Sequence, residues 1–156
     1  MDAERKVYFT EQSVRTGPVI CYESIFGEFF SRFVKNGAEV MVIITNDGWW
    51  GETAGHRQHF SFARLRAIET RRSIARSANT GISAFIDQRG DTHQDTPYWE
   101  PAVIRGSINA NREITFYVQH GDYLARLLLY LAGLLFFTAI AVSIRKKINP
   151  EIIQPK

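Results

Sequence analysis

The stretch Leu127–Ile144, LLLYLAGLLFFTAIAVSI, runs for 18 residues without a charge. As a helix it rises about 27 Å, close to the roughly 30 Å of a bilayer core. Tyr123–Ala125 extend it, and Arg126 can snorkel its charge to the interface. Arg145, Lys146 and Lys147 follow at once, and basic residues beside a span favour the cytoplasm. We therefore expect a transmembrane helix over residues 121–147 and a cytoplasmic tail over 148–156. Everything before Arg126 then lies outside the cytoplasm. A buried core helix is the alternative, and the length and basic stop argue against it.

The remaining residues, 1–120, make one domain of ordinary size. Hydrophobic residues are 45% of the chain and charged residues 22%, which excludes a disordered or low-complexity chain. The net charge of +3 is dispersed, and no groove-reading motif points to nucleic acid. Arg64, Arg66, Arg71, Arg72 and Arg76 cluster locally and read as a solvated helix face or a phosphate contact. The N-terminus, MDAERKVYFTEQ, has no apolar core and is not a signal peptide. Exporting the front domain therefore needs upstream membrane segments, so the chain is expected to be the C-terminal part of a longer protein.

Gly17–Cys21 is a short apolar run after a turn signal and predicts a strand. Ile25–Lys35 places Ile25, Phe29, Phe30, Phe33 and Val34 at helical spacing, and Asn36-Gly37 ends it. Glu39–Thr45 is a β-branched run typical of a strand buried on both faces. Asn46–Gly55 is a glycine-rich loop with two tryptophans, and His56 to about Ser73 predicts a helix. Ser77–Gly81 predicts a turn, Ile82–Asp87 a strand, and Gln88–Asp91 a hairpin turn into Thr92–Thr96. Val103–Ala110 alternates and predicts one more strand. Strands alternating with helices give an α/β fold with a largely buried sheet.

Cys21 is the only cysteine, so no internal disulfide can form. It falls at the carboxyl end of the first predicted strand, directly before a helix. Open α/β sheets bind ligands at that end. A thiol before a helix N-terminus sits in partial positive charge, the setting of reactive cysteines. A buried structural cysteine is the competing reading. If the first two strands are parallel, the loop Asn46–Gly51 lands beside Cys21. Its Trp49 and Trp50 then either cover an apolar substrate or pack on the core. His56 and His59 form H-x-x-H without the H-E-x-x-H context, and read as surface histidines rather than metal ligands. No cofactor and no metal are called for.

Four motifs, GPVICYE (17–23), TNDGWWG (45–51), QHFSFARLRAIE (58–69) and RSANTGIS (76–83), together resemble the carbon–nitrogen hydrolase (nitrilase) superfamily. With the apolar span they resemble, more narrowly, its apolipoprotein N-acyltransferases, since soluble amidases of the superfamily lack a span. The resemblance implies a nitrilase-like α-β-β-α sandwich followed by one C-terminal transmembrane helix. It implies Cys21 as nucleophile of a Glu–Lys–Cys triad. A phospholipid would donate an acyl chain to the thiol, and a diacylglyceryl-modified apolipoprotein would accept it at its α-amino group. It implies the bacterial inner membrane, with the catalytic domain on the periplasmic side. Tyr22 and Glu23 match the aromatic and acidic positions after the nucleophile, and the Tyr22 N–H an oxyanion donor. Asn46 and Trp49 match the loop beside it, Trp49 near the acyl chain. Glu69 and Arg72 match an acid and a base of the following helix, expected as an ion pair. The triad's Glu and Lys find no match: the candidates before Cys21 are Asp2, Glu4, Glu11 and Lys6, and none is assigned. The isolated chain is then expected to lack acyl transfer. A small-amide amidase and an inactive membrane-anchored binding module are the rival readings.

Overall fold

The computed structural model describes residues 5–148. Asp2, Glu4 and nearly all of the expected tail 148–156 lie outside them. The chain divides into two compact units, residues 1–121 and 122–156.

In the first unit a six-stranded mixed sheet runs in simple sequence order. Its strands are β1 (Tyr8–Phe9), β2 (Arg15–Ile20), β3 (Val40–Thr45), β4 (Ile74–Ala78), β5 (Ala84–Ile86) and β6 (Thr92–His93). The central pairs β2–β3 and β3–β4 are parallel, and the outer pairs are antiparallel. The parallel pairs need crossovers, supplied by α1 (Gly27–Lys35) and α2 (Gly55–Thr70). A short α3 (Phe116–His120) completes the unit, capped by the Thr115 hydroxyl, which accepts from Val118 N at 3.1 Å.

One sheet face carries the core. Val19, Met41, Ile43, Ile74, Ala84 and Ile86 alternate inward and meet Phe30, Phe33 and Val34 of α1. Phe60, Ala63 and Ala67 of α2 and Val118 of α3 close the layer. Phe30, Phe33 and Val34 recur at the three-and-four spacing that makes one helix face. Phe30 is fully buried, so its truncation to Ala costs about 3–5 kcal/mol. The α1 helix stops at Asn36-Gly37, where Gly37 takes φ +98°. The α2 helix stops at Arg71, left-handed at φ +50°. On the other sheet face Val42, Ala75 and Phe85 are half-buried and line an open pocket together with Ala102, Val103 and Ile104. Among the described residues the expected sandwich is thus present as one helix layer on one sheet.

Two elements differ from those expected. The predicted strand Val103–Ala110 has no ladder. Its neighbourhood is pinned by other bonds: Gln94 Nε2 donates to Arg105 O, and Asn111 N to Glu39 O. Val103 is 98% exposed, so the alternation never made a buried face. Conversely, β4 starts just past the predicted helix, on residues given no element, and runs into the predicted turn Ser77–Gly81. Its Arg76 is buried mid-strand, which hides the strand from a hydrophobic pattern.

The second unit is α4 (Tyr123–Ile148), long and apolar enough to cross a membrane, with no residue buried.

Candidate active site

The parallel β2–β3 pairing sets Ile20 opposite Ile44, so both strands end together at one edge. Cys21 and Thr45 therefore meet: the Thr45 hydroxyl lies 3.3 Å from Cys21 Sγ. The same hydroxyl lies 3.1 Å from Asp47 Oδ1. It has one proton for two acceptors. While sulfur keeps its hydrogen, the thiol can donate to Thr45 and Thr45 to Asp47. Once sulfur is ionised, the Thr45 proton turns to it.

Cys21 takes φ +49°, a left-handed conformation costing a non-glycine residue about 1–3 kcal/mol. The sequence suggested a cysteine at an α-helix N-terminus. Instead Cys21 opens a single 3₁₀ turn, Cys21–Ile25, and α1 starts only at Gly27. The turn is tied by Glu23, whose carboxylate accepts from Ile20 N at 3.0 Å. Its other tie is Ser24, whose hydroxyl donates to Cys21 O at 2.8 Å.

Beneath the turn lies a buried polar cluster. His59 Nδ1 donates to Asp47 Oδ1 at 2.9 Å, and Arg76 donates to Asp47 Oδ2 at 2.7 Å. His59 Nε2 stands 3.1 Å from Ser24 Oγ and 3.3 Å from Cys21 O. Burial opposes ionisation of Asp47, but the hydrogen bonds from His59 and Arg76 prevail and hold its pKa at about 2. Arg76 also lies over the Phe60 ring, 5.4 Å from its centroid. Gly81 makes room for the cluster, because a Cβ there would strike the Asp47 carboxylate.

Tyr22 and Trp50 line the exposed side, their ring centroids 6.3 Å apart. Asn46 Oδ1 ties the loop together, accepting from Gly48 N at 3.1 Å and from Thr80 at 2.8 Å. Trp49 projects outward, 84% exposed. Cys21, Tyr22, Glu23, Asn46 and Trp49 thus gather at one sheet edge. Glu69 and Arg72 do not join them. Arg72 is buried and donates to Ala38 O at 2.8 Å, near the start of β3 and thus at the opposite edge. The expected Glu69–Arg72 pair is replaced by Arg66–Glu69 at 3.0 Å.

Sequence reasoning missed His59, Asp47, Ser24, Thr45 and Arg76. His56 and His59 are buried, not surface histidines. The arginines also differ from a solvated face, since Arg66, Arg72 and Arg76 are buried. The available signal was spacing: a helix following the Asn46–Gly51 loop returns its first turns to that same edge. Among the described residues no cluster of His, Cys, Asp and Glu has the arrangement of a metal site.

The model of the carbon–nitrogen hydrolase family matches residues 2–115. The chain belongs to the carbon–nitrogen hydrolase family. It is 42% identical over 136 residues to the apolipoprotein N-acyltransferase of Chlorobaculum tepidum, covering 87% of this chain and 25% of that protein. It is 39% identical over 124 residues to the apolipoprotein N-acyltransferase of Thermotoga maritima, covering 80% and 24%. The chain spans about a quarter of the length of these curated relatives. A carbon–nitrogen hydrolase from Helicobacter pylori G27 superposes with a TM-score of 0.62 at 12% identity, covering 85% of this chain and 50% of that one. An amidase from Nesterenkonia sp. gives 0.55 at 16% identity, covering 65% and 40%. These two similarities are similarities of fold: a nitrilase-type α/β unit with a mixed sheet, here followed by an apolar helix.

Proposed function

We propose that this chain carries the nucleophile of an N-acyltransferase of its family, acting on lipids at a membrane. The observation that carries the reading is Cys21, held left-handed at the carboxyl end of the parallel strands of the sheet, in a chain that also carries a bilayer-length apolar helix. A small-amide amidase would have no use for that helix.

In the first step Cys21 Sγ attacks the ester carbonyl of a phospholipid acyl chain. The S–C bond forms, the glycerol C–O bond breaks, and the lysophospholipid leaves with the thiol proton. In the second step the α-amino group of a diacylglyceryl-cysteine attacks the thioester. The N–C bond forms, the C–S bond breaks, and sulfur regains a proton. A covalent intermediate divides one hard transfer into two easier ones. Thr45 supports the ionised sulfur, the Tyr22 N–H serves the oxyanion, and Tyr22, Trp49 and Trp50 border the acyl chain. Glu23 and Asn46 keep turn and loop in place, while Glu69 and Arg72 act at a distance, through packing. The apolar helix holds the domain on the periplasmic side of the inner membrane.

Among the described residues the partner of the Cys21 thiol is a hydroxyl. A hydroxyl is not itself a strong base, so the test joins this chain to the remaining length of a relative. The test is a chimera in which this chain replaces the matching quarter of the Chlorobaculum tepidum protein. N-acylation of a diacylglyceryl-modified peptide by the chimera, lost in Cys21→Ala, supports the reading. Equal activity in Cys21→Ala refutes it.

A further inference from the structure

The buried cluster under Cys21 is larger than a salt bridge needs to be, and both ends of it reach the same residue. From Asp47 Oδ1 one arm runs through the Thr45 hydroxyl to Cys21 Sγ, by steps of 3.1 and 3.3 Å. The other runs through His59, by 2.9 Å at Nδ1, and leaves from Nε2 to Cys21 O at 3.3 Å and to Ser24 Oγ at 3.1 Å. Ser24 Oγ itself donates to Cys21 O at 2.8 Å. One carboxylate therefore grips both the carbonyl and the sulfur of a residue whose backbone is strained.

Strain of that kind persists only where the surroundings over-determine it. The surroundings here are rigid: Asp47, His59, Ser24 and Arg76 are all buried, and Arg76 fixes the far oxygen of Asp47 at 2.7 Å. The ring direction follows from the chemistry. Ionised Asp47 accepts, so Nδ1 carries hydrogen and Nε2 is aimed at the turn. Because Ser24 gives its single proton to Cys21 O, Nε2 bonds these two oxygens only by donating, when it too carries hydrogen; it faces them and not the thiol, so His59 is not placed as the base.

We propose that Asp47, His59 and Ser24 are positioning residues. They form a relay anchored by Arg76 that holds the Cys21 carbonyl, and with it the left-handed turn that presents the sulfur at the sheet edge. The proposal rests on the reading of Cys21 as nucleophile for its purpose. Its test needs no acyl transfer, so the two can fail separately.

The experiment uses the full chain in detergent micelles, labelled with ¹³C-cysteine. A single cysteine gives one carbonyl and one Cα resonance, which report its hydrogen bonding and backbone conformation. Iodoacetamide alkylation of the folded protein reports how the sulfur is presented. In Ser24→Ala and His59→Ala both resonances are expected to move. Alkylation is expected to slow by about five- to tenfold, the scale of one lost hydrogen bond. His59→Gln, which sets an amide nitrogen near the position of Nε2, is expected to stay within about twofold of the parent rate, less than that lost bond. A merely structural role gives no such rescue. Unchanged resonances and rates in Ser24→Ala, or a loss in His59→Gln as large as in His59→Ala, overturn the proposal. If His59→Ala does not fold, Ser24→Ala decides alone.

Discussion

His59 donates from Nδ1 to Asp47 at 2.9 Å, with about 2% and 1% of the two side chains left in contact with solvent. Arg76 occupies the other carboxylate oxygen. Burial works against the ionised carboxyl, and these two donors overcome it, setting its pKa at about 2 against an ordinary 3.8. A carboxyl depressed in the folded state contributes stability that is present above its unfolded value and lost as pH falls through its folded value. Denaturant unfolding is therefore expected to lose about 2 kcal/mol of stability from this group between about pH 5 and pH 2. Asp47→Asn should lack that acid limb. At neutral pH it should cost about 3–5 kcal/mol, because Arg76 keeps a buried charge without its counter-ion. An acid limb of the same depth in Asp47→Asn contradicts the assignment.

Gly81 packs against the same carboxylate. A Cβ at this position would overlap the Asp47 side chain, so Gly81→Ala must displace either the loop or the cluster. The expected destabilisation is about 1–3 kcal/mol, the usual cost of overpacking. Thermal unfolding checks it, and an unchanged midpoint would show that the loop moves freely.

Glu39 is the staple on the other side of the unit. It is buried, and it accepts from Arg15 Nε at 3.2 Å and from Arg112 Nε at 2.7 Å. Burial alone would raise its pKa; the two arginines reverse that and lower it. Arg112→Ala removes one tie on the irregular segment that follows β6. Limited proteolysis should then cut residues 101–115 faster than in the parent, with the rest of the unit protected. Identical digestion would mean that Asn111 and Thr115 suffice to hold the segment.

The apolar helix makes its own prediction. A charge at its centre costs about 2.5–3.5 kcal/mol of insertion free energy. Leu134→Arg is expected to shift the chain from the membrane pellet towards the soluble or degraded fraction after expression. Undiminished membrane recovery would argue that the helix is held by something other than lipid.

Much of this was legible in the sequence where one residue type forces one outcome. The long apolar helix over Leu127–Ile144 could be read from the absence of charge alone. The β-branched run before Thr45 gave a central strand, and parallel pairing then put the Asn46 loop beside Cys21. The misses share a cause. His59, Arg76 and Arg72 are polar residues buried because they find partners far along the chain, and local pattern carries no trace of those partners. Arg76 looked like a charge on a helix face, yet it is the counter-ion of Asp47 on a strand. Val103–Ala110 failed in the opposite sense: its alternation was real, but ladder partners and a buried face are tertiary properties. The strained φ of Cys21 was equally invisible, since nothing in the composition of GPVICYE demands it.

The central claim is that Cys21 carries the acyl group. It is tested most directly by mass spectrometry of the chimera after exposure to phospholipid vesicles. The account predicts one acyl mass on the peptide containing Cys21, released by neutral hydroxylamine and discharged when a diacylglyceryl-cysteine peptide is added. An active chimera with its acyl group on any other residue, or with none on Cys21, would contradict it.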